Sequence, residues 1–309
     1  MEKIAFRKLF NQFSDLISPH WHILDDTINN WIEINPALGE EHRIKLKKGC
    51  FGSLIARFYP SASYPHLITS CKVMLFFFIN DDKYDLHTTE QLYQIHQKLI
   101  AALSGKPIVD TDGLCAMLTD VRNELIAHNR SKNWLKRFIA SMNLYLEGVR
   151  MEAPYRISQK VPTPEEYFII RSKSIGTDVC YELIEFVENI ELREETLQHP
   201  TVCELKQLAT NIIFLDNDLI SVKKEAGDVL NFVVVQQLTF AITEEKAFQQ
   251  VIDLRNSLLN EFDNLLLTAT QSSFREDENL KKYLYGLRKM ILGNYCWQCL
   301  DSGRYKLEN

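Results

Sequence analysis

Turn-forming residues are scarce in this chain. Glycine numbers 11 and proline 9 among 309 residues, together roughly 6%, about half the usual combined share. A β-sandwich, a β-barrel or a doubly wound α/β fold of this length needs far more turns, so long helices joined by few loops are expected. A basic excess is also missing. The formal net charge is −6, which argues against a nucleic-acid partner. No apolar run approaches the roughly 18 residues of a membrane span; the longest, Val73 to Ile79, stops at Asn80-Asp81-Asp82. The start, Met1-Glu2-Lys3-Ile4, lacks the basic-then-apolar pattern of a signal peptide. The seven cysteines are odd in number and scattered, as expected for reduced thiols in a cytoplasmic protein. What is present is a 46% share of hydrophobic residues, enough for a sizeable core and too many for disorder.

Periodicity and breakers predict helices over about 5–17, 21–33, 67–84, 90–103, 114–127, 132–152, 164–188, 200–224, 227–238, 244–267 and 279–300. Thr163-Pro164-Glu165-Glu166 is a helix start, with a threonine cap, proline in the first turn and acids behind it. No repeat, low-complexity stretch or linker-like segment interrupts the series. The chain reads as a single all-α domain over 1–309.

Two polar motifs stand out against this apolar background. Asp81-Asp82-Lys83-Tyr84-Asp85 places Asp81 and Asp85 one helical turn apart on one face. Carboxylates so close repel one another unless solvated or bridged by a cation, and at a helix C-terminus they oppose the dipole. The pattern should arise by chance roughly 0.1 times in such a chain. In Asn217-Asp218-Leu219-Ile220-Ser221-Val222-Lys223-Lys224-Glu225, the residues Asn217, Ser221 and Glu225 recur at i, i+4 and i+8 and fall within an arc of about 80°. An amide oxygen, a hydroxyl and a carboxylate form a hard donor set suited to Mg²⁺. This longer pattern should arise by chance only about 0.003 times.

Together these motifs resemble those of the class I terpene synthases of the bacterial and microbial type, and the likeness extends along most of the chain. Ser18-Pro19-His20, Trp31, Phe51-Gly52 and Tyr59-Pro60 are similar to the family's N-terminal half. Gly293-Asn294, Trp297 and Arg304-Tyr305 are similar to its closing pattern. Arg171 lies 46 residues before Asn217, where the family places an arginine that senses diphosphate. Ser174 and Ile175 then fall at its linker and effector positions, with Gly176 behind them at a helix break. Serine departs mildly from the usual linker. Only the stretch from about 88 to 153 carries no nameable motif.

The resemblance implies an all-α bundle with a central cavity. It also implies ionisation of an acyclic prenyl diphosphate, with farnesyl diphosphate the best guess. The resulting cation would cyclise to a terpene hydrocarbon or alcohol. Three Mg²⁺ ions are implied, with Mn²⁺ as an alternative. The implied metal ligands are Asp81, Asp85, Asn217, Ser221 and Glu225. Arg171, Lys224, Arg304 and Tyr305 would bind diphosphate, and Asp82 and Asp218 would supply supporting ion pairs. Trp297 and Phe77 are the leading aromatic neighbours of the cation, with Phe51 and Phe76 behind them. The expected partners are the prenyl diphosphate and, as an option, a second copy in a homodimer. A prenyl diphosphate synthase of the same fold, or a non-catalytic helical binding module, are the rival readings.

Other features read as bystanders. Cys296-Trp297-Gln298-Cys299 has no second pair for a zinc site. Asp25-Asp26 has no acid at the right spacing. Asp110-Thr111-Asp112-Gly113 resembles the motif of protonating cyclases but ends in glycine, and reads as a loop and helix cap.

Overall fold

The computed structural model describes residues 16–35, 37–109, 113–225, 227–272 and 274–305, and the described residues contain helices and no strand. The expected helix over 5–17 and the Asp110 to Asp112 loop fall mainly or wholly outside them.

The chain begins with α1 (Trp21–Ile34), whose Leu24, Ile28 and Ile32 point inward at four-residue spacing. Two short helices follow, α2 (Glu40–Lys47) and α3 (Phe51–Phe58). Every residue of α3 is buried, and α3 packs between α1 and the C-terminal helix. The long α4 (Tyr64–Tyr84) starts with a proline in its first turn and ends at the first aspartates. It is apolar around most of its circumference, the signature of a helix at the centre of a bundle. Next come α5 (Thr89–Leu103), opened by a Thr88/Gln91 capping box, α6 (Leu114–Ala127) and α7 (Lys132–Ser158).

A second capping box, Thr163/Glu166, opens α8 (Pro164–Ser174). The predicted helix 164–188 is in fact two. α8 stops at Ser174, and α9 (Thr177–Val187) restarts after Gly176 at φ +74°. That left-handed conformation is one glycine adopts freely. After the single turn α10 (Glu194–Leu197) comes α11 (Pro200–Ser221), as buried as α4 and ending in the second motif. α12 (Phe232–Phe240), α13 (Glu244–Gln271) and α14 (Glu278–Cys296) complete the bundle. A π-helical turn over Trp297–Asp301 and a 3₁₀ turn over Gly303–Tyr305 close it.

Other boundaries also differ from expectation. α7 runs on past residue 152 with Pro154 inside it. α12 starts five residues late, because Asn231 caps it by accepting from the Val233 N–H. α11 ends at Ser221 rather than 224, and α14 gives way to the π turn at Trp297.

Two hydrophobic clusters hold these helices. The larger joins α1 to α7 with α9, α14, half of α11 and the C-terminal half of α13. The smaller gathers Tyr167, Phe214, Phe232 and their neighbours around α8, α11, α12 and α13. The two motif-bearing ends, of α4 and α11, open on one shared cleft.

Candidate active site

The cleft has a volume of about 370 Å³, and both polar motifs border it. Asp81, Asp82 and Asp85 stand on one rim, and Asn217, Lys224 and Glu225 on the other. Arg171, Ser174, Ile175, Arg304 and Tyr305 also face it. Ser221 is fully buried behind this rim. Its hydroxyl donates to Glu225 Oε2 at 2.6 Å. Asp218 is likewise behind, with its carboxylate accepting from the Tyr167 hydroxyl at 2.5 Å and the Phe232 N–H at 3.1 Å. Glu225 lies in the turn after α11, where its N–H still donates to the Ser221 carbonyl, so the four-residue spacing survives the end of the helix.

The carboxylates of the first motif are each engaged differently. Asp81 accepts from the Tyr145 hydroxyl at 2.6 Å. Surrounding protein pushes its carboxyl up to about 6, burial first and the nearby Glu152 adding to it, against the Tyr145 hydrogen bond. Its side is nevertheless open to the cleft, so solvent there tempers the effect of burial. Asp82 pairs with Lys45 at 2.7 Å and His42 at 3.1 Å, with Arg304 at 4.0 Å. Asp85 pairs with Arg156 at 2.8 Å.

On the opposite wall Arg171 reaches Glu152 and Ser174 Oγ, both at 3.3 Å, Asn217 Oδ1 at 3.5 Å and Asp218 at 3.9 Å. Burial works against its charge, but Tyr167, Asp218 and Glu152 hold its guanidinium above the ordinary value. Burial pushes Asp218 up to about 7 against the pull of Arg171 and Tyr167. Asn217 donates from its amide to the Tyr305 hydroxyl at 3.2 Å. Lys224 sits 5.4 Å over the Tyr305 ring, with its amine pulled down by burial and by Arg304. Arg304 lies 4.9 Å from the Phe78 ring.

The deeper wall is apolar: Leu54, Phe58, Met74, Phe77, Phe78, Ile213 and Trp297 line it. Trp297 is fixed there by its indole N–H, which donates to the Gly49 carbonyl at 2.8 Å. Phe77 and Trp297 both line the cleft. Phe51 and Phe76 do not line the cleft; Phe51 stacks behind Phe78 at 3.9 Å. Asp25 of the discarded acidic pair accepts from the Ser53 N–H and hydroxyl and braces α1 on α3. Cys296 and Cys299 are free thiols.

Several residues of the site escaped the sequence. Tyr145, Glu152 and Arg156 sit along one side of α7, in or beside the stretch without motifs. Arg156 ties Asp85 to Glu152, at 2.9 Å, and approaches Asp228 at 3.9 Å. Although burial opposes it, Arg156 and Arg171 hold Glu152 below its usual value. Asn231 supports the second motif, donating to the Asp218 carbonyl at 3.0 Å and to Ser221 and Glu225 at 3.4 Å. An asparagine directly before an apolar helical run was the available cue for it.

The donor chemistry fits a divalent cation with an anionic ligand. Among the described residues no three His, Cys, Asp or Glu side chains converge on one point. The oxygens instead divide between the carboxylates of α4 and the mixed amide, hydroxyl and carboxylate set of α11. Across from them, Arg171 Nε and Arg304 Nε and Nη1 are buried with no hydrogen-bond partner among the described residues. Buried donors left unmatched in this way suit an incoming anion.

Comparison with known proteins agrees with this geometry. The family model described as "Terpene synthase family 2, C-terminal metal binding" matches residues 72–261. A (+)-T-muurolol synthase of Roseiflexus castenholzii, described as cyclising (2E,6E)-farnesyl diphosphate, is 30% identical over 96% of this chain and 93% of its own length. Germacrene A synthase of Nostoc punctiforme is 28% identical over 99% and 96%. Among solved structures, α-eudesmol synthase superposes with a TM-score of 0.82 at 19% identity, covering 92% of this chain and 96% of that one. Germacradien-4-ol synthase from Streptomyces citricolor gives 0.79 at 21%, covering 91% and 94%. The chain belongs to terpene synthase family 2 and has the class I terpene synthase fold. It is a terpene synthase, a lyase that takes a prenyl diphosphate and requires a divalent metal. No helix among the described residues is long and apolar enough to cross a membrane.

Proposed function

We propose that the chain, as one catalytic domain over 1–309, ionises farnesyl diphosphate in the cytoplasm and cyclises the cation to a sesquiterpene. The observation that carries this reading is the division of one cleft into a polar mouth, rimmed by both motifs, and an apolar depth. Asp81 and Asp85 would hold metal at one rim and Asn217 and Glu225 at the other, with Ser221 behind Glu225 and bonded to it, so that its hydroxyl must turn to complete the set. When bound, three Mg²⁺ ions act as Lewis acids that offset the charge of the departing diphosphate. Arg171, Lys224, Arg304 and Tyr305 donate hydrogen bonds to that diphosphate. The planar forks of the arginines each suit two phosphate oxygens, and donors preset in a water-poor site supply the larger part of such catalysis. Ser174 and Ile175 link Arg171 to the helix break. Asp82 and Asp218 keep Arg304 and Arg171 oriented by ion pairing. Phe77 and Trp297 stand closest to the cation's place, each contributing about 0.5–2 kcal/mol, and with the other apolar lining they leave it little water to react with.

The choice of a C15 substrate is supported by the farnesyl diphosphate named for the T-muurolol synthase relative and by the modest cleft volume. Asp216 disfavours the prenyl diphosphate synthase reading. A second aspartate-rich motif would need it, yet it is only 1% exposed and engaged twice by Arg255, at 2.7 and 3.0 Å. Incubation with Mg²⁺ and geranyl, farnesyl or geranylgeranyl diphosphate, followed by gas chromatography with mass detection, tests the reading. A cyclic C15 hydrocarbon or alcohol from farnesyl diphosphate is expected. A longer diphosphate, or turnover of the C20 substrate alone, would overturn it.

A further inference from the structure

The stretch without nameable motifs contributes the side chain that holds Asp81. Tyr145, on α7, is buried at the cleft wall. Its hydroxyl oxygen accepts from Asn80 Nδ2 at 3.2 Å and donates to Asp81 Oδ1 at 2.6 Å. A phenol has one proton. Because Asn80 occupies an acceptor position, that proton is committed to Asp81. One carboxylate oxygen is thereby pinned, and the other stays available to the cleft. The ring is itself fixed, packing 4.4 Å from Phe77. A Cβ built on Gly176 would lie 3.2 Å from Phe77 and 3.3 Å from Tyr145. The ring is therefore wedged between the helix that carries the first motif and the break that follows Arg171.

We infer that Tyr145 is a positioning residue for the metal-binding carboxylate of Asp81, acting through its hydroxyl rather than only as core. The inference rests on the metal-binding reading of Asp81. Its test is Tyr145→Phe, which keeps the ring and removes one oxygen. Mn²⁺ binding in the presence of inorganic pyrophosphate is followed by electron paramagnetic resonance, with thermal unfolding of the same samples alongside. The expected result is a half-saturating Mn²⁺ concentration raised about tenfold, in line with loss of a hydrogen bond to a charged group. The Tm should fall by no more than about 4 °C. Asn80→Ala should shift Mn²⁺ affinity in the same direction by less, and the double variant should bind no more weakly than Tyr145→Phe alone. Unchanged Mn²⁺ affinity in Tyr145→Phe, whatever its Tm, would mark Tyr145 as packing only and overturn the inference. Failure of the wild-type chain to bind Mn²⁺ would overturn the metal reading and this inference with it.

Discussion

Asp216 and Asn217 are neighbours in sequence with opposite surroundings, because successive side chains on a helix point about 100° apart. Asp216 turns into the packing between α11 and α13, where the Arg255 fork holds it. Asn217 turns to the cleft, between Arg171 and Tyr305. Their alanine variants should therefore fail in different assays. Asn217→Ala, like Asp81→Ala on the facing rim, removes a donor from the mouth while leaving the core intact. Cyclase activity should fall by at least about 10²–10³-fold, with circular dichroism and denaturant midpoint close to wild type. Asp216→Ala removes the carboxylate that the buried Arg255 fork engages twice and should cost about 3–5 kcal/mol in denaturant unfolding, even though Asp216 does not line the cleft. Full activity in Asn217→Ala or Asp81→Ala would remove the metal assignment.

α7 and α8 cross with almost no space between them. A Cβ on Gly148 would lie 2.3 Å from the Ser174 backbone nitrogen and 2.7 Å from the Lys173 carbonyl carbon. Backbone cannot rotate aside as a side chain can, so Gly148→Ala must push the helices apart. The expected cost is about 1–3 kcal/mol, a Tm several degrees lower. Activity should fall as well, because the displaced end of α8 carries Arg171 and Ser174. Gly39→Ala, with nothing within 4 Å of its added carbon, is the control and should match wild type. If Gly148→Ala also matches wild type in Tm and turnover, the close crossing does not set the site. This crossing also shows which parts of the site could be read from sequence. Asp81 with Asp85, and Asn217 with Ser221 and Glu225, were legible as clusters because polar side chains grouped on one side of a helix must repeat at helical spacing, and that spacing is written in the chain. The break at Gly176 was not legible in the periodicity, which ran one helix over 164–188; only the family resemblance pointed to it. Tyr145, Glu152 and Arg156 were not, because the partners that tie them to the site, Asp81, Arg171 and Asp85, lie outside α7 and their own spacing resembles any amphipathic face. α2 and α3 were missed because eight residues are too few for a period of 3.6 to show. α3 is moreover buried on all sides, so it has no polar face to mark its period.

For the whole molecule, the C-terminal segment joins the two ends of the chain across the cleft. Asp301 is engaged by Arg57 of α3, Trp297 by the Gly49 carbonyl, and the Gly303 N–H by the Lys48 carbonyl at 2.8 Å. Only beyond these anchors do Arg304 and Tyr305 turn over the mouth, toward Asp82 and Asn217. The anchors and the mouth residues are thus separable by a cut in the chain. A variant ending at Gly303 keeps all three anchors, so its Tm should stay within several degrees of wild type. It loses two diphosphate donors and the side chains that cover the mouth. Two effects should follow together. Turnover should fall by about 10²-fold or more. The remaining product should shift from cyclic terpene toward the acyclic alcohols formed when water meets the farnesyl cation before it can cyclise. Gas chromatography of single-turnover reactions would measure both. A slow variant with an unchanged cyclic product would restrict the tail to diphosphate binding and assign exclusion of water to the aromatic depth of the cleft alone.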